Sequence, residues 1–324
     1  MVRFVPPVVR RLPILALLAL GACNPAAREA RDLRAECGEG RAAACTDLGA
    51  RMFRGDGVLT DWRQAAELFG QACNDGYGPG CVRLARMHLG PAREQSGVPV
   101  DSARALRLFR RACERDDAHG CTRWGELLAF ADTLPADAPP ETPPPAISPD
   151  PVQAAALFDQ GCRAGDLVGC TRFGTALADG TGVPPDPARA AALFQRACDG
   201  EHAAGCTALG RAYLAGAGVE RDPPRAAELL EAACEHEMLA CHTLADLYTR
   251  GDGVDLDYEK AADLFHTACY GTERRGEGSP GRAESCFRVG DLYANGTGVE
   301  RDVYRAGSYF RQACRRGYED ACRR

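Results

Sequence analysis

The chain has 324 residues, a formal net charge of −6, 45% hydrophobic residues and 17 cysteines. An acidic balance of this kind argues against nucleic acid or an anionic lipid surface as partner, since both require a positive footprint. No stretch is long and apolar enough to cross a bilayer.

The chain opens on an export signal. Arg3, Arg10 and Arg11 form a positive n-region, and Leu12 to Leu20 is a short apolar run. Leu20-Gly21-Ala22-Cys23 follows and resembles the lipobox of bacterial lipoproteins, in which the cysteine becomes the lipidated first residue of the mature chain. Residues 1–22 are thus expected to be a lipoprotein signal peptide and residues 23–33 a lipidated linker. The alternative is a plain secretory signal whose cysteine is incidental. Several acyl chains on Cys23 would give stable anchoring. Loss of residues 1–22 removes three arginines and no acid, which takes the net charge from −6 to −9.

The other sixteen cysteines fall into eight pairs: Cys37/Cys45, Cys73/Cys81, Cys113/Cys121, Cys162/Cys170, Cys198/Cys206, Cys234/Cys241, Cys269/Cys286 and Cys314/Cys322. Zinc sites favour C-x2–4-C, and haem attachment and redox motifs use C-x-x-C; none of these spacings occurs. Disulfides within each pair are favoured, as suits an exported chain. Eight residues of unbroken helix would span about 12 Å. A disulfide holds Cα atoms about 4.4–6.8 Å apart, so the chain must reverse inside each pair. Asn74 to Gly80, rich in glycine, reads as that reversal.

Successive first cysteines lie 36, 40, 49, 36, 36, 35 and 45 residues apart, a period that indicates a helical solenoid. In each repeat a first helix is expected to begin at the second cysteine. Large residues follow three and seven positions on, with a small residue at four, as in Phe173, Gly174 and Leu177. Five repeats then carry Gly-x-Gly-Val, beginning at Gly55, Gly180, Gly216, Gly251 and Gly296. No strand precedes these glycines, so they are helix stops rather than a dinucleotide fingerprint. The second helix starts after an aspartate twelve residues before the next first cysteine: Asp61, Asp101, Asp150, Asp186, Asp222, Asp257 and Asp302. These read as N-caps, not as free carboxylates for catalysis. Pro151, Pro187 and Pro223 follow at the first helical position.

Gly-x-Gly-Val, the capping aspartate and an Ala-Ala-rich second helix resemble Sel1-like repeats, relatives of the tetratricopeptide repeat. The C-x7-C spacing is similar to the cysteine-rich Hcp type. The resemblance runs from about Arg34 to Cys322. It implies an all-α fold, a right-handed α/α solenoid with one disulfide per helix hairpin, over residues 34–324 in about seven helix pairs. Two insertions depart from the pattern, near 131–149 and 271–285. The first is proline-rich and reads as an extended solvated loop.

The resemblance implies a lipid-anchored scaffold in the bacterial cell envelope, on a periplasmic or outer-membrane face. Its concave side would bind a protein, a peptide or a peptidoglycan fragment. Contact with a membrane would be through the anchor alone, and no nucleic acid or cofactor is expected. The alternative it implies is a weak β-lactam-binding or β-lactamase-like hydrolase. A haem- or metal-handling assembly factor is a third class.

The residues do not support an enzyme. Serine acylation needs Ser-x-x-Lys, and the sole lysine, Lys260, has Asp257 three residues before it. The six serines lie mostly in turns or insertions, and the histidines His88, His119, His202, His236, His242 and His266 are scattered. No catalytic or metal residue is assigned. His88 is expected to be half-buried and hydrogen-bonded. His236 and His242 flank the shortened Cys234/Cys241 turn and are candidates to approach one another.

Overall fold

The structure is a computed structural model that describes residues 25–89, 98–129, 148–271 and 281–324. Cys23, the signal segment and most of both insertions lie outside the described residues. Among the described residues all regular elements are helices, and no helix is long and apolar enough to cross a membrane. The chain divides into two compact units, residues 1–149 and 150–324.

Unit 1 contains α1 (Pro25–Gly38), α2 (Ala42–Arg54), α3 (Trp62–Asn74), α4 (Gly78–Leu89), α5 (Ser102–Cys113) and α6 (Ala118–Ala129). Unit 2 contains α7 (Pro151–Arg163), α8 (Leu167–Asp179), α9 (Pro187–Asp199), α10 (Ala203–Ala215), α11 (Pro223–Cys234), α12 (Met238–Arg250), α13 (Tyr258–Tyr270), α14 (Ala283–Asn295), α15 (Val303–Arg315) and a closing 3-10 turn at Glu319–Arg323. First helices carry even numbers and second helices odd ones. Each helix packs on its neighbours in sequence, so each unit is an α/α solenoid segment.

The structure corrects where the first helices begin. The sequence places their starts at Cys45, Cys81, Cys121, Cys170, Cys206, Cys241 and Cys286. Each of these cysteines instead lies one turn inside its helix. The helices start three residues earlier, at Ala42, Gly78, Ala118, Leu167, Ala203, Met238 and Ala283. The reason is geometric. Helical Cβ atoms tilt toward the N-terminus, so a cysteine in the first turn aims its sulfur back at the helix before it. Cys45, Cys81, Cys121, Cys170, Cys206 and Cys241 are accordingly all buried, at 0–7% exposure.

Outside the second insertion the reversal takes only three or four residues. After α3 it is Asp75-Gly76-Tyr77, with Gly76 at φ +93°, while Gly78-Pro79-Gly80 already forms the first turn of α4. Proline fits that turn because its missing N–H has no helical partner there. The expected linker over 23–33 also gives way to structure. Helix α1 runs from Pro25, and Ala30 is 1% exposed. It is a second helix whose aspartate position is taken by Pro25, and it brings Cys37 to its end as the others do their cysteines.

The caps are those the sequence predicts. The side chains of Asp61, Asp101, Asp150, Asp186, Asp222, Asp257 and Asp302 each accept the backbone N–H three residues on, at 2.7–3.0 Å. Most of them use their own N–H groups to tie back to the first helix, as Asp186 to the Leu177 carbonyl at 2.9 Å and Asp302 to Tyr293 at 2.9 Å.

The small residue inside each first helix has a packing cause. A Cβ at Gly174 would lie 2.5 Å from the Phe194 ring, and one at Gly290 would lie 2.7 Å from Phe310. The second helices thus bury Phe69, Phe109, Phe194, Phe265 and Phe310 against the first-helix backbone. Each buried ring contributes about 1.5–3 kcal/mol. First helices also touch first helices: α2 meets α4, α4 meets α6, α8 meets α10 and α10 meets α12. No pair of second helices meets comparably among the described residues. Each unit therefore bends toward its first helices, and the second helices splay outward.

Candidate functional site: the exposed faces of the helix rows

All eight predicted cysteine pairs are disulfides. In unit 1 they are Cys37–Cys45, Cys73–Cys81 and Cys113–Cys121, with Cα separations of 4.6, 4.6 and 4.4 Å. In unit 2 Cys162–Cys170, Cys198–Cys206 and the shortened Cys234–Cys241 hold their Cα atoms 4.4, 4.5 and 4.6 Å apart. Cys269–Cys286, which spans the second insertion, has the same 4.6 Å, and Cys314–Cys322 has 4.9 Å. Each joins the end of a second helix to the first turn of the next element, so insertion and deletion in the loop leave the staple unchanged. Among the described residues, no group of three His, Cys, Asp or Glu side chains is placed to hold a metal ion.

The histidines take up structural posts. His88 is 2% exposed rather than half-buried, and its Nδ1–H donates to the Pro99 carbonyl at 2.9 Å. Burial lowers its pKa, against the raising effect of that hydrogen bond. His236 is exposed. His242 instead lies buried against Phe265, with the ring centroids 5.4 Å apart. Its Nδ1 is 2.9 Å from Ser285 Oγ on α14, and its Nε2 lies 3.6 Å from Glu284 and 3.8 Å from Asp246. His266 reaches the Tyr309 hydroxyl at 2.7 Å, and burial pushes the pKa of Tyr309 up to about 12.

Ser285, His242 and the two carboxylates have the composition of a nucleophile, a base and an orienting acid. The geometry does not serve catalysis. Ser285 is fully buried, so no substrate carbonyl reaches its Oγ. The grouping locks α12 to α14. Ser102, Ser285 and Ser308 lie in helices, which corrects the expectation that the serines sit mostly in turns or insertions. Lys260 donates to the Tyr248 hydroxyl at 2.6 Å, and that bond leads the causes that raise its pKa. A general base needs the opposite shift.

Surface chemistry is richer. On α2 Asp47 points outward and Ala50 is buried, whereas on the first helices α4 to α14 the positions two and five after the cysteine both point outward, exposed or half-buried. They form a stripe of Arg83 and Arg86, then Arg123 and Glu126, in unit 1. In unit 2 the stripe contains Arg172, Arg211, Asp246, Arg288 and Asp291. Arg288 bonds Asp246 of the preceding first helix at 2.9 Å, so neighbouring repeats are also tied along the stripe. At the hairpin edge of unit 2, cations cover aromatic rings: Arg189 over Phe173 at 5.0 Å, Lys260 over Tyr248 at 4.5 Å and Arg305 over Tyr293 at 5.1 Å. Open grooves of about 670 and 860 Å³ lie beside the first and last of these pairs.

Sequence reasoning missed two features of unit 1. Helix α5 presents Arg104, Arg107, Arg111 and, just past its end, Arg115 at i, i+3, i+7 and i+11, a spacing that marks one helix face. Helix α3 has Gly70 in mid-helix, where glycine costs about 1 kcal/mol relative to alanine. The arginine spacing was readable in the sequence. The absence of a steric reason for Gly70 was not, because it depends on what lies opposite.

Sel1 repeat models match residues 42–77, 79–117, 145–166, 169–202, 203–237, 239–271 and 283–318. Among solved structures, the chain is similar to c5321, described as a protective antigen present in uropathogenic Escherichia coli strains displaying an SLR fold. That match has 24% identity and a TM-score of 0.64, and covers 90% of this chain and 57% of the other. A Sel1 repeat protein from Oxalobacter formigenes matches at 22% identity and a TM-score of 0.63, covering 91% of this chain and 78% of the other. The chain thus spans little more than half the length of the first of these. No curated protein matches it. With repeat models covering most of the chain and the same fold in both structures, this protein belongs to the Sel1 repeat family.

Proposed function

We propose that this protein is an exported, lipid-anchored scaffold that holds a protein or peptide partner, or a peptidoglycan fragment, along the exposed stripe of its first helices. Sel1 repeat chains are scaffolds for protein–protein contact, and eight disulfides suit an oxidising, extracytoplasmic compartment. The observation that carries the reading is the repeated outward charge on successive first helices, as in Arg172, Arg211, Asp246 and Arg288. Stacked helices hold these side chains at even spacing on a pre-ordered backbone, which spares an extended ligand site the cost of ordering its main chain. The anchor is supported by Leu20 to Cys23, and by Cys23 being the cysteine left over when the other sixteen are bonded.

The test is photo-crosslinking in cells from residue 211 on the stripe and from residue 232 on the exposed face of α11. A discrete adduct from position 211, lost in the Arg172→Glu/Arg288→Glu double variant, is expected. Equal adduct yields from both faces would remove the reading. Labelled fatty acid should enter the wild-type chain and not Cys23→Ser.

A further inference from the structure

We infer that a groove on the outer side of unit 1, between α3 and α5, docks an acidic peptide segment of a partner protein, with an apolar side chain seated on its floor. This surface is formed by second helices and is independent of the first-helix stripe. The groove holds about 680 Å³. Its floor comes from α4 through Leu84 and His88, one wall from α3 through Glu67, Gly70 and Gln71 and from Asp75 just past it, and the other side is closed by Val98, Pro99 and Arg104 at the start of α5, with Arg107 and Arg111 farther along that helix. It exists because second helices splay apart while the first helix between them stays below.

Two observations point to a ligand. The first is Gly70. At the matching position the other second helices carry Arg34, Arg110, Asp159, Gln195, Glu231, His266 and Arg311. A Cβ at Gly70 would meet nothing nearer than Leu84 Cδ2 at 3.8 Å, an ordinary contact. Packing therefore does not demand the glycine, and the helix is weaker for having it. What glycine provides there is depth in the groove.

The second is the arginine face of α5. Among the described residues Arg110 is ion-paired, with Glu114 at 2.8 Å, and Arg111 reaches only the neutral Asn74 amide at 3.1 Å. Arg104, Arg107 and Arg115 are exposed and have no carboxylate partner among the described residues. Like charges at these spacings destabilise a helix, and the chain as a whole is acidic. Among the described residues this arginine face, which begins at Arg104 in the groove, is short of carboxylates, and with Leu84 on the floor it is complementary to carboxylates flanking a bulky apolar residue. A flat bilayer surface does not enter a recess walled by two helices, whereas a peptide chain does. Two acids also line the groove, Glu67, which Arg63 engages at 3.5 Å, and Asp75; the arginines outnumber them once Arg107, Arg111 and Arg115 beside the groove are included.

The experiment uses the oxidised protein and a fluorescein-labelled peptide of roughly twelve residues built from Glu-Glu-Leu-Phe repeats. Fluorescence anisotropy should show binding that weakens at least about tenfold between about 50 and 300 mM salt. Arg107→Glu/Arg111→Glu should lose at least about tenfold in affinity. Gly70→Gln, which fills the groove, should lose as much while its melting temperature stays at or above wild type. Gly70→Ala should be more stable than wild type and bind within about twofold. Peptide binding unaffected by both Gly70→Gln and the charge reversal would overturn the proposal. So would no peptide binding together with arginine-dependent capture by phosphatidylglycerol vesicles, which would make α5 a membrane-facing surface.

Discussion

Seven aspartates, recurring with the repeat, have the look of a catalytic resource, and each is consumed by main-chain bonds. Its side chain accepts from the second helix, while its own N–H donates to a first helix at most sites. The same economy governs the buried histidines. His242 bridges two first helices through Ser285, with Asp246, Glu284, Arg282 and Arg288 around it, and burial lowers its pKa. His88 and His202 are shifted in the same direction, again chiefly by burial. The sign follows from linkage. In the unfolded chain these rings take up protons near the ordinary histidine value of about 6.5, whereas in the folded chain they resist until lower pH. Their contribution to stability is therefore present above that value and is lost as pH falls from it toward the folded pKa. Urea midpoints at neutral and mildly acidic pH should show the loss, and His242→Gln should flatten part of it. A midpoint that rises on acidification would refute this account.

At the scale of the element, Gly-x-Gly-Val does two different jobs. The first glycine ends the helix in the left-handed region, as Gly180 does at φ +72°. The second also has positive φ, but its distinctive burden is contact. A Cβ on Gly182 would lie 2.0 Å from the Pro151 carbonyl, and one on Gly218 would lie 2.0 Å from the Pro187 carbonyl. The turn of one repeat thus sits directly on the first turn of the preceding second helix. In α1 the same contact identifies its place in the array, since Gly57 sits on Ala26 and Ala27. Gly182→Ala combines positive-φ strain with a clash against rigid backbone and should destabilise unit 2 by about 2–4 kcal/mol. Calorimetry or denaturant unfolding checks this; a loss below about 0.5 kcal/mol would show that the turn relaxes freely.

For the whole molecule, covalent staples substitute for a deep core. Each unit buries only one or two rings or leucines per repeat from its second helix, and contacts run between near neighbours. A nine-residue disulfide loop such as Cys37–Cys45 contributes about 2.5 kcal/mol in the chain-entropy model, and the longer Cys269–Cys286 loop about 3 kcal/mol. Under reductant, both units should unfold at markedly lower urea than the oxidised protein. A thiol reagent should find the sixteen paired sulfurs unreactive until reductant is added. Ready labelling of the oxidised protein, or an unchanged midpoint on reduction, would contradict the assignment of stability to the staples.

The sequence by itself determined the repeat, the cysteine partners, the caps and the helix stops. Each is a local signal, a residue type at a fixed distance along the chain, and local signals survive without knowledge of neighbours. Tertiary structure decided what depends on the opposite surface. It shortened the reversals, so that Cys45, Cys81 and their counterparts stand inside the first helices rather than at their starts. It made 25–33 part of a helix, turned Ser285 from a loop residue into a buried lock, and left Gly70 with open space beside it. Those outcomes turn on which side chain faces which across helices dozens of residues apart, and a one-dimensional pattern does not carry that information.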